Sequence, residues 1–135
     1  MTSLLVLLLS ALTAPAEAGT LRVTITGLES DRGSVRVALF DSEASFTRDA
    51  REAAVLPIRS GRAEWVVRDL PPGRYAAAAF HDEDGDGDMD RGLFGIPREP
   101  YGFTRGARGR FGPPAWADAS VRVGDGVTTT RLPVR

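Results

Sequence analysis

The residues that could do chemistry in this chain are concentrated in one acidic run, from His81 to Asp90. Six of the 18 acidic residues fall within nine positions of it. Glycine interrupts the run at positions 85 and 87, and aspartate recurs at every second position: Asp82, Asp84, Asp86, Asp88 and Asp90. Like charges at this density are costly unless water or a cation screens them. The run therefore predicts either a cation site or a solvated turn.

The spacing of the run matches the front of a calcium-binding loop. With Asp82 as position 1, carboxylates occupy positions 1, 3, 5 and 9, and glycine occupies position 6, where such a loop turns sharply. Asp88, at position 7, would offer its carbonyl, and the other four aspartates their side chains. Position 12 is Leu93 rather than a bidentate Glu, and Glu99 could supply the missing carboxylate. We expect weakly bound Ca²⁺ here, with an acidic turn as the open alternative.

Catalytic chemistry has little support in the composition. The chain has one histidine and no cysteine, which excludes a Cys–His nucleophile and an all-His zinc site. No serine lies in a Gly-x-Ser-x-Gly setting. The clustered carboxylates occupy one flexible run and do not face each other across a cleft, as glycoside cleavage would require. We expect a protein that is not an enzyme, with no catalytic residues.

A second candidate site follows the acidic run. Ten of the 23 positions from Gly92 to Pro114 are Gly or Pro, which excludes a helix and disfavours a central strand. The segment is nevertheless rich in aromatic residues, unlike disordered chain. We expect an ordered flap that packs on the alanine-rich strand Tyr75–Phe80. It either completes the core or holds a small apolar or sugar-like ligand, with five candidate ligand-binding residues: His81, Phe94, Tyr101, Phe103 and Trp116.

The elements that must position these residues are short strands. Alternating apolar and polar residues predict seven of them, separated by Gly- and Pro-rich turns: Leu21–Ile25, Val35–Leu39, Val55–Arg59, Arg62–Arg68, Tyr75–Phe80, Ser120–Val123 and Val127–Val134. We expect hairpins about Ser60–Gly61 and Gly124–Gly126, and a short helix or helical turn between Asp41 and Ala54. The pattern favours an all-β, antiparallel seven-stranded β-sandwich. Tyr75 is placed either as a tyrosine corner or as an ordinary core tyrosine.

The N-terminus has the pattern of a secretory signal peptide. An apolar run from Leu4 to Leu12 is followed by Ala16 and Ala18 at the cleavage positions. We expect residues 1–18 to be removed and residues 19–135 to form one exported domain, periplasmic or extracellular and without a membrane span, since the apolar run is too short. The mature chain would carry 17 Arg and 17 acids, a balance that gives no reason to expect nucleic acid as a partner. The sequence does not identify a partner, and an envelope protein and a small ligand are the two open alternatives.

Four sequence blocks resemble one known family. They are Leu70–Tyr75, His81–Asp90, Gly95–Phe103 and Gly112–Ala119, and together they resemble the bacterial secreted domain-of-unknown-function family 2141 over essentially the whole mature chain. The resemblance implies a prealbumin-like or immunoglobulin-like sandwich of exported proteins with no established activity. The family's acidic block often carries Asn at alternate positions, where this chain has Asp84 and Asp86.

Overall fold

A computed structural model describes residues 17–85 and 99–135. It is mostly β-structure in two sheets, as the sequence predicts. These residues contain eight strands rather than the predicted seven, together with a 3₁₀ turn (Thr104–Gly106) and a four-residue helix α1 (Trp116–Ala119). The strands are β1 (Gly19–Thr26), β2 (Ser34–Phe40), β3 (Glu52–Leu56), β4 (Ala63–Leu70), β5 (Gly73–Asp82), β6 (Tyr101–Phe103), β7 (Val121–Val123) and β8 (Val127–Pro133). In these two ranges no helix is long and apolar enough to cross a membrane.

The strands form a three-stranded sheet, β4-β1-β8, and a five-stranded sheet, β3-β2-β5-β6, in which β7 also pairs with β5. The prediction of an entirely antiparallel sandwich is wrong in one place, because β1 and β8 run parallel from Thr20↔Val127 to Thr26↔Pro133. The chain crosses from one sheet to the other between β7 and β8. β8 therefore enters the three-stranded sheet from the other sheet and not through a hairpin, so it can pair with β1 in the parallel direction.

Both predicted hairpins have the expected turn but not the expected pairing. Ser60 and Gly61 have φ of 52° and 73°, as in a type I′ turn, and Arg59 and Arg62 exchange backbone hydrogen bonds of 2.9 and 3.0 Å. Pairing stops at that bridge, because β3 joins β2 while β4 joins β1. The turn at Gly124–Gly126 likewise connects β7 on β5 to β8 on β1. Turn chemistry fixes the local reversal but does not decide which sheet each flanking strand joins.

Alternation of apolar residues builds the main core, as predicted. Leu21, Val23 and Ile25 of β1 are fully buried against the other sheet, whose β2 contributes Val35 and Leu39. The segment between β2 and β3 holds turns and a single helical turn, with Asp49 N–H donating to the Ser45 carbonyl at 2.8 Å. The sequence predicts either a short helix or a helical turn here, and the structure has the helical turn.

Tyr75 forms a tyrosine corner. Its hydroxyl donates to the carbonyl oxygen of Pro71, four residues upstream, at 2.6 Å, and the residue is 3% exposed. Burial raises the pKa of Tyr75, with smaller increases from Asp41 and Glu52 and an opposing effect from Arg51. Of the two readings that the sequence left open, the tyrosine corner is the one observed.

A second apolar cluster covers the outer face of the five-stranded sheet. Phe46 is at its centre, with ring centroids 5.6 Å from Phe40, 5.9 Å from Phe103 and 5.5 Å from Trp116. These rings pack on the small side chains of β5, including fully buried Ala76. The prediction that the flap packs on the alanine-rich strand is confirmed for Phe103 and Trp116. It is wrong for another aromatic residue of the same segment, Phe111, which is fully exposed.

Candidate metal centre and outer groove

The last two residues of β5 point to opposite faces of the sheet, as alternation requires. His81 is fully buried, and its Nε2 lies 2.6 Å from the carbonyl oxygen of Arg32. A carbonyl can only accept, so Nε2 carries the hydrogen. Nδ1 lies 3.5 Å from a Glu83 carboxylate oxygen. The His81 side chain therefore packs in the interior between the sheets. The sequence predicts it as a ligand contact together with the aromatic residues, but the structure does not bring it to them.

Asp82 lies on the outer face and is fully buried. One of its carboxylate oxygens accepts a hydrogen bond from Arg36 Nε at 2.8 Å. Glu99 is 7% exposed, and its Oε2 accepts from the backbone N–H of Glu83 at 2.9 Å. Asp82 ends β5, and Glu99 lies two residues before β6, so the two carboxylates come from either side of the segment that joins these strands.

Three carboxylates converge here. Asp82, Asp84 and Glu99 each offer one oxygen, and these oxygens all lie within 4.8 Å of one another. Calcium takes oxygen ligands at about 2.3–2.6 Å, so oxygens about 5 Å apart or closer can share one ion. Asp82 and Asp84 are predicted ligands, and Glu99 is the carboxylate suggested for the missing position. The other predicted ligands, Asp86, Asp88 and Asp90, lie outside the described residues.

Hard oxygen donors in this number suit a divalent cation such as Ca²⁺. Gathering three carboxylates, two of them buried, carries a desolvation penalty and mutual repulsion that nearby positive charge must offset. Arg36 supplies one such charge through its ion pair with Asp82.

Arg36 is the residue of this site that sequence reasoning missed. Alternation along β2 places it on the outer face, and its cross-strand partner is Phe80, two residues before Asp82. The proximity of Arg36 to Asp82 depends on that register, for which the sequence carried no signal.

A groove of about 520 Å³ lies beside this centre on the outer face. Its floor includes the small side chains of Ala38, Ala53 and Ala78, and Tyr101 and Phe103 also line it. These two are the predicted ligand residues that the structure brings together. Trp116 is half-buried in the aromatic cluster instead, and Phe94 lies outside the described residues.

Gly102 allows β6 to form the wall of the groove. A Cβ at that position would collide with the carbonyl oxygen of Pro133, which lies directly against it. Backbone hydrogen bonds between Tyr101 and Arg135, of 3.1 and 3.3 Å, secure the same contact. This close approach positions the neighbouring rings of Tyr101 and Phe103 against β5.

Comparison with known proteins gives one family match. The model of a family described as "Uncharacterized protein conserved in bacteria (DUF2141)" matches residues 23–131. No curated protein matches the chain.

Among solved structures, the pilus-presented adhesin Spy0125 (Cpa) is similar at 16% identity and a TM-score of 0.25. The match covers 91% of this chain and 28% of that one. A cysteine-to-alanine mutant of the same adhesin gives 18% identity and a TM-score of 0.23, with 88% and 27% covered. The chain thus spans under a third of the adhesin's length, and TM-scores this low assign neither fold nor function.

Proposed function

Because the chain belongs to the bacterial DUF2141 family, whose description assigns no activity, we propose a function from its own residues. The protein is an exported, non-catalytic β-domain of the cell envelope that calcium stabilises. The observation that carries this proposal is the convergence of Asp82, Asp84 and Glu99 on one point at the end of β5.

A cation explains why these carboxylates are gathered and buried. A loop that only turns needs one or two aspartates beside its glycines, whereas this segment has five. Asp82 and Glu99 are withdrawn from water, and burying a carboxylate costs several kcal/mol by general estimates unless positive charge and hydrogen bonds compensate it. A bound ion would add such compensation and would join the end of β5 to the chain just before β6.

Calcium fits this ligand set better than the other biological cations. Zinc prefers nitrogen and sulfur ligands, and the chain has one histidine and no cysteine. Magnesium demands a strict octahedron, whereas calcium accepts the looser geometry of a glycine-rich loop. Asp82, Asp84 and Glu99 would bind through side-chain oxygens, with Asp86, Asp88 and Asp90 as further ligands predicted from the sequence.

Thermal unfolding with chelator and then with millimolar calcium tests the proposal. We expect a dissociation constant of about 10⁻⁴–10⁻³ M, as in extracellular calcium modules. At a calcium concentration about 100 times that constant, the free energy of unfolding should rise by about 2.7 kcal/mol.

Variants separate a metal site from an acidic turn. Asp84→Asn should reduce the calcium-dependent rise in the unfolding midpoint, and Glu99→Gln should do the same. Asp125→Asn, in the exposed turn between β7 and β8, is the matched control and should leave it intact. If calcium does not move the midpoint, and Asp84→Asn leaves stability unchanged or raises it, the acidic segment is a turn without metal.

A further inference from the structure

The groove on the outer face has a regular composition that follows from strand register. One row across the sheet is Ala53, Ala38, Ala78 and Phe103, from β3 to β6. The next row is Val55, Arg36, Phe80 and Tyr101. Alanines at three adjacent positions of the first row leave a depression in the face, and phenylalanine closes one end of it.

The depression suits an apolar chain. Its volume of about 520 Å³ is within the range of small-molecule sites. Val55, at the end of the second row, is 55% exposed, so apolar surface continues beyond the floor of the groove. A sugar would find few polar partners on such a surface, whereas an alkyl chain would cover it.

Arg36 supplies positive charge at the groove, and the three carboxylates of the metal centre lie beside it. Among the described residues that line it, Arg36 is the single charged one. Its Nε is engaged by Asp82, and its side chain remains 37% exposed. Within the described part of the chain, the two terminal nitrogens of the guanidinium have no hydrogen-bond partner. Guanidinium groups bind carboxylates in this way, through paired N–H donors.

We propose that the groove binds a small anionic amphiphile, with its alkyl chain over Ala38 and Ala78 and its carboxylate at Arg36. This goes beyond the calcium proposal, and the alanine floor and Arg36 are present without a metal. The carboxylates beside Arg36 should oppose the anion more strongly when no cation is bound to them.

Titration calorimetry with octanoate, first in chelator and then in millimolar calcium, tests the site without and with the ion proposed for the neighbouring carboxylates. With calcium present octanoate should bind, and 1-octanol, which has the same chain without the charge, should bind roughly tenfold to a hundredfold more weakly, since a hydrogen bond to a charged group contributes about 1.5–3 kcal/mol. Octylamine should then bind no better than 1-octanol. Equal affinity for octanoate and octanol in both conditions, or no binding of octanoate at millimolar concentration in either, would overturn the proposal.

Substitutions at Arg36, Arg22 and Ala78 assign the contacts. Arg36→Gln should reduce octanoate affinity to that of octanol and leave octanol binding unchanged, and Arg36→Lys should retain part of the preference. Arg22→Gln removes an arginine of the other sheet, ion-paired with Glu64, and is the matched control with no expected effect. Ala78→Leu should weaken both ligands by filling the groove. If it unfolds the protein, Ala53→Leu, at the exposed end of the alanine row, replaces it.

The two proposals can fail separately. If octanoate binding depends on Arg36 but calcium does not change the unfolding midpoint, the groove proposal stands and the metal-site proposal fails. A calcium-dependent midpoint without octanoate binding would do the reverse.

Discussion

The buried hydroxyl of Tyr75 donates a hydrogen bond to the Pro71 carbonyl, and this bond should affect how the free energy of unfolding depends on pH. The folded-state pKa of Tyr75 is raised by burial. The protonated form therefore contributes stability that is fully present below the unfolded-state pKa of about 10 and is lost as pH rises through the folded-state pKa.

We expect Tyr75→Phe to lower the free energy of unfolding by about 1 kcal/mol at neutral pH, because the hydrogen bond to Pro71 is lost. It should also remove part of the decline at alkaline pH. Urea unfolding from pH 8 to 11 measures both effects, with Tyr101→Phe as a half-buried control. An unchanged alkaline decline in Tyr75→Phe would contradict the assignment.

At the scale of single residues, the sequence predicted the acidic members of the site but not their counter-charge. Asp82 and Asp84 could be named because their spacing is itself a pattern. Glu99 could supply the missing carboxylate, but its distance in sequence from the aspartates matches no known loop pattern. The fold brings it to Asp82 and Asp84. Arg36 lies 46 positions from Asp82 in sequence. Only the register of β2 on β5 joins them.

At the scale of elements, Thr104 connects the outer segment to the sheet. Its hydroxyl oxygen accepts from the backbone N–H of Ala77 at 3.2 Å, and the hydroxyl donates to the carbonyl of Ala119 at 2.5 Å. The residue is fully buried. One side chain thus joins β5, the 3₁₀ turn and α1, which carries Trp116 into the aromatic cluster.

We expect Thr104→Val to destabilise the protein by about 1–3 kcal/mol for each buried group left without a partner, while Thr104→Ser, which keeps the hydroxyl, should lose much less. Urea unfolding gives the size of the loss. The near-ultraviolet circular dichroism, to which Trp116 and Trp65 both contribute, should change in the valine variant only. Equal stability of the valine and serine variants would show that the hydroxyl does not hold this segment.

The strands themselves were predictable where one face is buried, because alternation is then strict, as in β1 and β2. β6 was not predicted, since its three residues lie between glycine and proline positions that disfavour strands. It forms because it has an edge of β5 beside it and because Gly102 admits the backbone of Pro133. Both causes are tertiary and leave no local pattern.

At the scale of the whole molecule, a two-sheet β-fold followed from the number and spacing of the strands. The order of the strands did not, because every turn looks the same whether it joins neighbours or crosses between sheets. β1 lies between β4 and β8, partners from the middle and the end of the chain. No short-range signal marks such pairings.

Export is a property of the whole chain, and we predict that the mature protein starts at Gly19. The motive is the apolar run Leu4–Leu12 with Ala16 and Ala18 at the cleavage positions. The first strand begins at Gly19, so cleavage after Ala18 would leave every described strand intact. N-terminal sequencing of protein from its natural host checks this, and an intact Met1 would contradict it.

The parallel pairing of β1 with β8 has a consequence for when the chain can fold. β8 contributes the fully buried Leu132, and the adjoining Val134 is 1% exposed, so the core cannot close until β8 and Val134 have been synthesised. Contacts between distant parts of a chain also fold slowly, in milliseconds to seconds for β-proteins. A chain built this way stays unfolded while β1 waits for β8, and that delay would suit the export predicted above.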